Sequence, residues 1–314
     1  MGLLILRRFL QAIPLIFLVS VAAFSLTWLL PGDPAYAIAG IEATPEEAAA
    51  VRERLNLDDP AHVRYGRWLG NAMQGDFGKS ALTDRPVAAE LKRRLPITAS
   101  IAVGAFIMAV LIGTLVGVVQ GAFAGRLPDK ALLFFVSLGL STPQFWIGTL
   151  LITYFGVKWK LFPVLGYVSF ADSPGQWLEY AFLPMLTLAI FTWSEVARQL
   201  RTGLVGVLDQ DYVRAARARG ISNTRIIARH ALKNAALPTI TIIGVRLGFL
   251  LAGSIIVENI FGINGLGAYA LTAVQTRDVP IIQAVVVISA AVVLIVGFLV
   301  DVAYAFLNPK VRVR

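Results

Sequence analysis

The sequence predicts an all-α polytopic membrane protein with six transmembrane helices. Three observations carry that reading. Of 314 residues, 57% are hydrophobic and 15% charged, against about 25% charged in ordinary soluble domains. Mean hydropathy is +0.72. The apolar residues also gather in runs that match the roughly 20 residues a helix needs to cross a bilayer. The same inventory excludes other classes. A net charge of +9 could suggest nucleic acid, but the basic residues lie at the ends of apolar runs, where they set orientation in the membrane. There is no cysteine, so disulfide and thiolate chemistry are excluded. His62 and His230 lack metal-ligand spacing, and no Ser/His/Asp set suggests a hydrolase, so no metal or catalytic residue is expected.

The first span is expected at Phe9–Leu30, 22 residues without a charge, preceded by Arg7-Arg8. Ala35-Tyr36-Ala37 has the small-x-small form of a cleavage site. The apolar run exceeds the about 7–15 residues of a signal-peptide core, which favours an uncleaved helix. Pro14 lies in its early turns, where the cost is lower than mid-helix. Pro31-Gly32-Asp33-Pro34 ends it. Residues 31–95 then form the one sizeable polar segment, with ten acids and nine bases. Thr44–Leu57 reads as a helix: a Thr cap, Pro45 at the first helical position and Glu46-Glu47 in the first turn. A second helix is expected at His62–Met73, with Val63, Trp68 and Leu69 against the membrane surface. Gly78-Lys79-Ser80 has the ending of a phosphate-binding loop, but Met73 stands where its first Gly must be and no strand pattern precedes it. Nucleotide binding there is not expected.

The second span is expected at Ile97–Ala124. Gly113, Gly117, Gly121 and Gly125 recur every four residues. That makes a flat stripe for close helix packing and carries no chemistry. Arg126–Lys130 reads as a tight turn. The third span, Ala131–Tyr154, is interrupted by Ser141-Thr142-Pro143-Gln144. Pro143 frees a carbonyl that the neighbouring hydroxyls can satisfy, so a kink facing protein or water is expected there. Residues 158–184 read as an outer loop whose aromatics suit a membrane interface. In the fourth span, Met185–Leu200, Glu195 and Arg198 are three apart and can pair on one face. The fifth, Leu237–Val257, carries Arg246 near its centre and small residues at 244, 248 and 252. An arginine there costs about 2.5–3.5 kcal/mol unpaired. It must therefore face the bundle interior or a watery path, as a pathway group or as the partner of another subunit. Residues 258–280 return outside, and the sixth span runs Ile281–Phe306. Gly262, Gly265 and Gly267 do not have dinucleotide-loop spacing.

The most polar stretch of the second half is Asp211–Pro238, with six basic residues and the single acid Asp211. Tyr212 to Ala218 is helix-forming, Gly220 breaks it, and Ser222 can cap a new helix. Two readings stand: a basic loop that fixes orientation, or a helix–turn–helix that docks into another subunit. With the amino terminus inside, fifteen basic residues lie inside against three in the short outer loops. That decides orientation, with both termini in the cytoplasm, although Lys92-Arg93-Arg94 pull the other way.

Arg214-Ala215-Ala216 followed by Gly220 resembles the first half of the cytoplasmic Glu-Ala-Ala…Gly motif of bacterial ABC-importer membrane subunits, with Arg in place of Glu. The wording of 211–238 is similar to the dipeptide/oligopeptide/nickel permease family. Gly75–Ser80, the Pro143 and Phe145-Trp146 segment, Glu258, Gly265-Leu266-Gly267, Arg277-Asp278-Val279-Pro280 and Asn308–Arg312 resemble that family in turn. The resemblance implies a type I ABC importer permease fold with a tail and first span at 1–30, an extracytoplasmic segment at 31–95 and a five-helix core at 96–314. Its coupling loop would be 201–236. It implies ATPase coupling by Asp211, Tyr212, Arg214, Ala215, Ala216, Gly220 and Arg225. It places Pro143, Gln144, Trp146, Arg246 and Glu258 on a translocation pathway, and Gly265, Gly267, Arg277 and Asp278 at an external gate. The implied partners are a second homologous permease, two ATP-binding subunits that carry the ATP and Mg, and an extracytoplasmic binding protein. The setting is the bacterial inner membrane, with di- or oligopeptides as cargo and nickel chelates or other solutes as alternatives. A secondary transporter or channel is the competing class. It wants inverted repeats or acidic relays within the spans, and neither is visible.

Overall fold

The computed structural model describes residues 2–29, 35–36, 43–54 and 58–307. The expected stop at Pro31–Pro34, Ala37 of the cleavage-like site, the end of the Thr44–Leu57 helix and the Asn308–Arg312 ending lie outside those residues. The described helices, in order, are α1 (Gly2–Leu29), α2 (Pro45–Arg54), α3 (Ala61–Met73), α4 (Val87–Ala122), α5 (Leu127–Ser141) and α6 (Gln144–Leu151). A π-helical turn, Ile152–Lys158, comes after α6. Next are α7 (Pro174–Leu208), α8 (Asp211–Ala218), α9 (Leu232–Ile260), α10 (Leu266–Thr276) and α11 (Val279–Leu307). No strand interrupts them among the described residues; Lys79 and Pro86 make one isolated bridge.

By length and composition α4, α7 and residues 279–300 can each cross a membrane. If α5 with α6–Lys158, and the two halves of α9, each make one bent span, the number reaches five. α1 holds a shorter apolar stretch, Leu10–Ser25.

Several expected boundaries move, each for a local reason. α4 starts ten residues before the expected span, so Lys92-Arg93-Arg94 are helical rather than a flank. Glu90 accepts from Arg93 Nη2 at 2.9 Å and Arg94 Nε at 3.0 Å, which ties the first turns together. The tight turn is 123–126, not Arg126–Lys130. Pro128 falls in the first turn of α5, where its missing N–H is no loss. α7 starts at Pro174, so Trp177 and Tyr180 stand on a helix rather than in a loop. Ser173 caps it by accepting the Gln176 N–H. The other end of α7 runs on through 201–208. The kink at Pro143 is a break: α5 and the helix after it meet at 110°. The hydroxyls of Ser141 (3.3 Å) and Thr142 (2.7 Å) both donate to the Leu138 carbonyl on the last turn before it.

The chain folds as two compact units. The first holds residues 1–97 and 265–295. In it α3 lies on α1, with Tyr65 edge-on to Phe17 and Phe24, Trp68 tilted against Phe24, and Ser20 Oγ 2.8 Å from Tyr65 Oη. Trp68 thus has a protein partner. α2 begins with a reciprocal cap: Thr44 N donates to Glu47 Oε2 (2.8 Å) and Glu47 N to Thr44 Oγ1 (3.3 Å). Val87 and Leu91 pack with Leu266 and Ala273 of α10 and with Ile281, Ala284 and Val285 of α11.

The second unit holds residues 98–264 and 296–314, and α7 is its hub. Gly113, Gly117 and Gly121 of α4 bring that helix backbone-close to α7. A Cβ at Gly113 would sit 2.7 Å from the Trp193 carbonyl, and one at Gly117 2.8 Å from that of Ala197. Gly125 leaves the stripe. Its φ of +77° makes the turn, with open space around it. Gly244 of α9 meets Val300 closely, continuing the small-residue theme. The side chain of Ala252 lies outside the described ones.

Candidate functional site

The basic elbow is a helix, a glycine turn and a second helix that runs on into α9. α8 starts at Asp211 and ends at Ala218. Gly220, at φ +76°, reverses the chain, and its neighbours hold the turn through Ile221 N–H to the Ala216 carbonyl at 3.2 Å. Ser222 sits at the cap position of the single turn Asn223–Arg225 without a side-chain cap bond. A π-helical stretch, Ile226–Ala231, then feeds α9. Two buried anchors, Val213 and Ile226, fix the elbow. At the start of the following helix, Leu200 and Leu204 of α7 pack with Ala231 and Ala235. Asp211, Arg214, Ala215 and Arg225 are exposed, and Ala216 is half-buried. Tyr212, 44% exposed, accepts from Asn234 Nδ2 at 3.2 Å, which orients its ring. The Arg214–Asp211 pair is long (3.4 Å) and exposed, so it adds little.

A cavity of about 240 Å³ opens between α6, α7 and α9, lined by Thr142, Gln144, Thr187, Phe191, Arg246 and Phe249 among others. It brings together two residues expected on a pathway, Gln144 and Arg246. Pro143 is the cap of α6 beside it. Trp146 is half exposed on α6. Glu258 is buried near the end of α9, where it accepts from Thr98 Oγ1 at 2.5 Å, and does not line the cavity.

The expected Glu195–Arg198 pair does not form. Glu195 instead takes Arg246 of α9 in a two-pronged pair, with Nη2 to Oε1 at 2.7 Å and Nε to Oε2. Arg198 is exposed. A fork-to-carboxylate pair inside the bundle outweighs an i,i+3 pair at its rim. The Arg246 guanidinium also lies 5.1 Å from the Phe191 ring and 5.2 Å from the Phe249 ring.

A second fork pair was not visible in the sequence. Asp129 is buried and accepts from Arg201 Nε (2.6 Å), Arg201 Nη2 (2.7 Å) and the Gly125 N–H (2.8 Å). The turn between α4 and α5 is thereby fastened to α7. The only sequence hint was an acid just after a turn and an arginine 72 residues on.

The residues expected at a gate frame α10, in the first unit. Gly265 caps it and Gly267 is buried in its first turn. Arg277 ends it in the left-handed conformation, at φ +57°. Asp278 is buried, accepts from Ser80 Oγ at 2.5 Å and lies 3.2 Å from the Ala81 N–H. Ser80 is therefore a structural partner, not a phosphate ligand, and the Gly78 N–H is taken by Asp76 at 2.8 Å. Arg94 lies 4.5 Å over the Tyr269 ring. Burial pushes the Tyr269 hydroxyl above its ordinary range, with the Glu90 charge adding, so the ring stays neutral.

Residues 109–313 match the family model described as "Binding-protein-dependent transport system inner membrane component", and residues 1–102 match its N-terminal companion. The chain is 38% identical over 309 residues to a Brucella abortus (strain 2308) chain named for a peptide transport system permease, covering 98% of each. It is 40% identical over 310 residues to the glutathione transport system permease GsiC of Salmonella paratyphi A, covering 99% of each. Its fold is similar to a chain of the inward-facing MetNI methionine ABC transporter, at TM-score 0.58 and 17% identity, covering 70% of this chain and 96% of that one. With helices this apolar and relatives matched end to end, the chain belongs to the binding-protein-dependent transport system inner membrane components and is a multi-pass ABC importer permease.

Proposed function

We propose that this permease forms half of a peptide-conducting path in the bacterial inner membrane and is driven through α8. The relatives' names give peptides and glutathione as cargo, so small peptides are the substrate class. The other half is a second homologous permease. Two ATP-binding subunits supply the ATP and Mg chemistry, and an extracytoplasmic binding protein delivers the cargo. This chain is not itself catalytic. It crosses the membrane six times with both termini in the cytoplasm, and residues 265–278 form the outer gate.

One observation carries the coupling claim. Asp211–Ala218 is a short helix with an exposed basic side, yet it is pinned by two fully buried residues, Val213 and Ile226. A loop that served only to set orientation would need the charges and not the anchors. A pinned helix moves as one body with α7 and α9, so a subunit gripping it can bias the whole bundle between two states.

The test uses the purified complex in proteoliposomes, with ATP hydrolysis and uptake of a labelled dipeptide measured together. Ala216→Glu or Tyr212→Ala is expected to reduce uptake about tenfold or more while ATP hydrolysis continues. Uptake at the wild-type rate in both variants would remove α8 from the drive.

A further inference from the structure

We infer that the outer edge of Arg246 is a transient binding site for the free carboxylate of the passing solute. The inference rests on the peptide reading above and assigns a specific group to one point of the path.

The geometry points to this through what Glu195 leaves over. A guanidinium has five N–H donors in a planar fork. Glu195 takes the side made by Nε and one Nη2 hydrogen. No described residue accepts from Nη1. The end of the fork, with one N–H from Nη1 and one from Nη2 in parallel, is the other edge that fits a carboxylate in bidentate fashion. Arg246 lines the cavity, whereas Glu195 is not among the lining residues. The donors that Glu195 leaves over thus belong to a residue that borders the cavity.

The surroundings favour capture that is brief. Glu195 already neutralises the charge, so an arriving carboxylate meets donors without a full net attraction. Phe191 and Phe249, each about 5 Å from the guanidinium, hold it in place. The cavity, at about 240 Å³, is smaller than the roughly 300–1,000 Å³ of sites that retain small molecules. A conducting site must bind enough to admit and weakly enough to release. The Gln144 side chain also lines the cavity, makes no hydrogen bond among the described residues and is free to meet a peptide amide.

Other sources of a carboxylate would serve the same fork, so the experiment isolates the terminal group. The complex with its wild-type binding protein is reconstituted, and uptake of one tripeptide is compared with that of its C-terminal amide. The ratio of free acid to amide is the readout. The binding protein is identical throughout, so its own preference cancels between wild type and variant. Glu195→Gln with Arg246→Gln removes both charges together and strands neither. The ratio is expected to fall about tenfold, the weight of one charge-assisted hydrogen bond. Arg246→Lys keeps the charge and loses the fork, and a ratio between the two is expected. If the double variant does not assemble, the lysine variant alone still decides. A ratio within twofold of wild type in the variants that assemble overturns the inference while leaving peptide transport intact. A wild-type complex that imports neither compound overturns the peptide reading and this site with it.

Discussion

Two arginine–carboxylate pairs hang from the same helix, and they differ in what closes the carboxylate and in what borders the guanidinium. Glu195 and Arg201 stand six residues apart on α7. Arg201 reaches Asp129 of α5, whose carboxylate is buried and takes a third donor from the Gly125 N–H. Glu195 reaches Arg246 of α9, whose fork keeps free donors beside a cavity. The first arrangement is a joint: its buried carboxylate takes three donors, two from Arg201 and one from the turn that it holds to the helix. The second carboxylate takes two, and its arginine borders a void. The same two functional groups therefore make a rivet or a site, depending on whether the pair is closed by backbone or left open to a void.

The contrast predicts different costs, largest first. Asp129→Ala strands Arg201 and unties the Gly125 turn, and it is expected to destabilise the folded permease by about 3–5 kcal/mol. Thermal unfolding of the purified complex, followed by tryptophan fluorescence, measures it. A loss under about 1 kcal/mol would show that the joint is ornamental. Ser80→Ala tests a third closed carboxylate, Asp278, in the other unit. Removing its 2.5 Å donor while Ala81 N–H remains is expected to lose about 1.5–3 kcal/mol by the same measurement.

Legibility in the sequence depended on range. The alternation of apolar runs and basic ends sufficed for three spanning helices, and for five if each bent pair is one span, because burial in lipid demands length and composition alone. The glycine stripe was legible for Gly113, Gly117 and Gly121, whose i+4 spacing is local; Gly125 shares the spacing, but the chain has already turned there. Arg246 was marked by its cost in an apolar helix, yet its partner, 51 residues away, was not. The local rule offered Arg198 to Glu195, since periodicity sees only neighbours on one helix. Asp129–Arg201 was invisible for the same reason. At Pro143 the break was readable from a missing N–H, but its 110° angle depends on what α6 packs against. The elbow and its turn were marked by the basic run and by Gly220. Its anchors, Val213 and Ile226, looked like any other apolar residues.

A smaller effect sharpens the description of the joint. Gly125→Ala meets open space, so only the left-handed backbone at φ +77° resists it. The expected loss is about 1–2 kcal/mol. Because that turn presents the N–H that closes Asp129, Gly125→Ala combined with Asp129→Ala is expected to lose less than the sum of the two. Additive losses in the unfolding series would mean that the turn and the ion pair stand independently.

The smallest change is expected at the open pair, and it separates the two kinds most cleanly. Glu195→Gln with Arg246→Gln replaces an ion pair by two neutral amides, one matching the carboxylate in size and one shorter than the arginine. Neither former partner is left charged and buried, which is what makes single truncations costly. The side chains are 15% and 23% exposed, so much of the original desolvation was already incomplete. Stability is expected to stay within about 1 kcal/mol of wild type. The matching change at the joint, Asp129→Asn with Arg201→Gln, makes the same two kinds of exchange. It puts an amide where Gly125 requires an acceptor at a fixed position, and is expected to lose more, about 1–3 kcal/mol. If the two double variants unfold at the same temperature, the difference in saturation has no energetic meaning. Arg246 would then be another rivet, and its free edge an accident of packing.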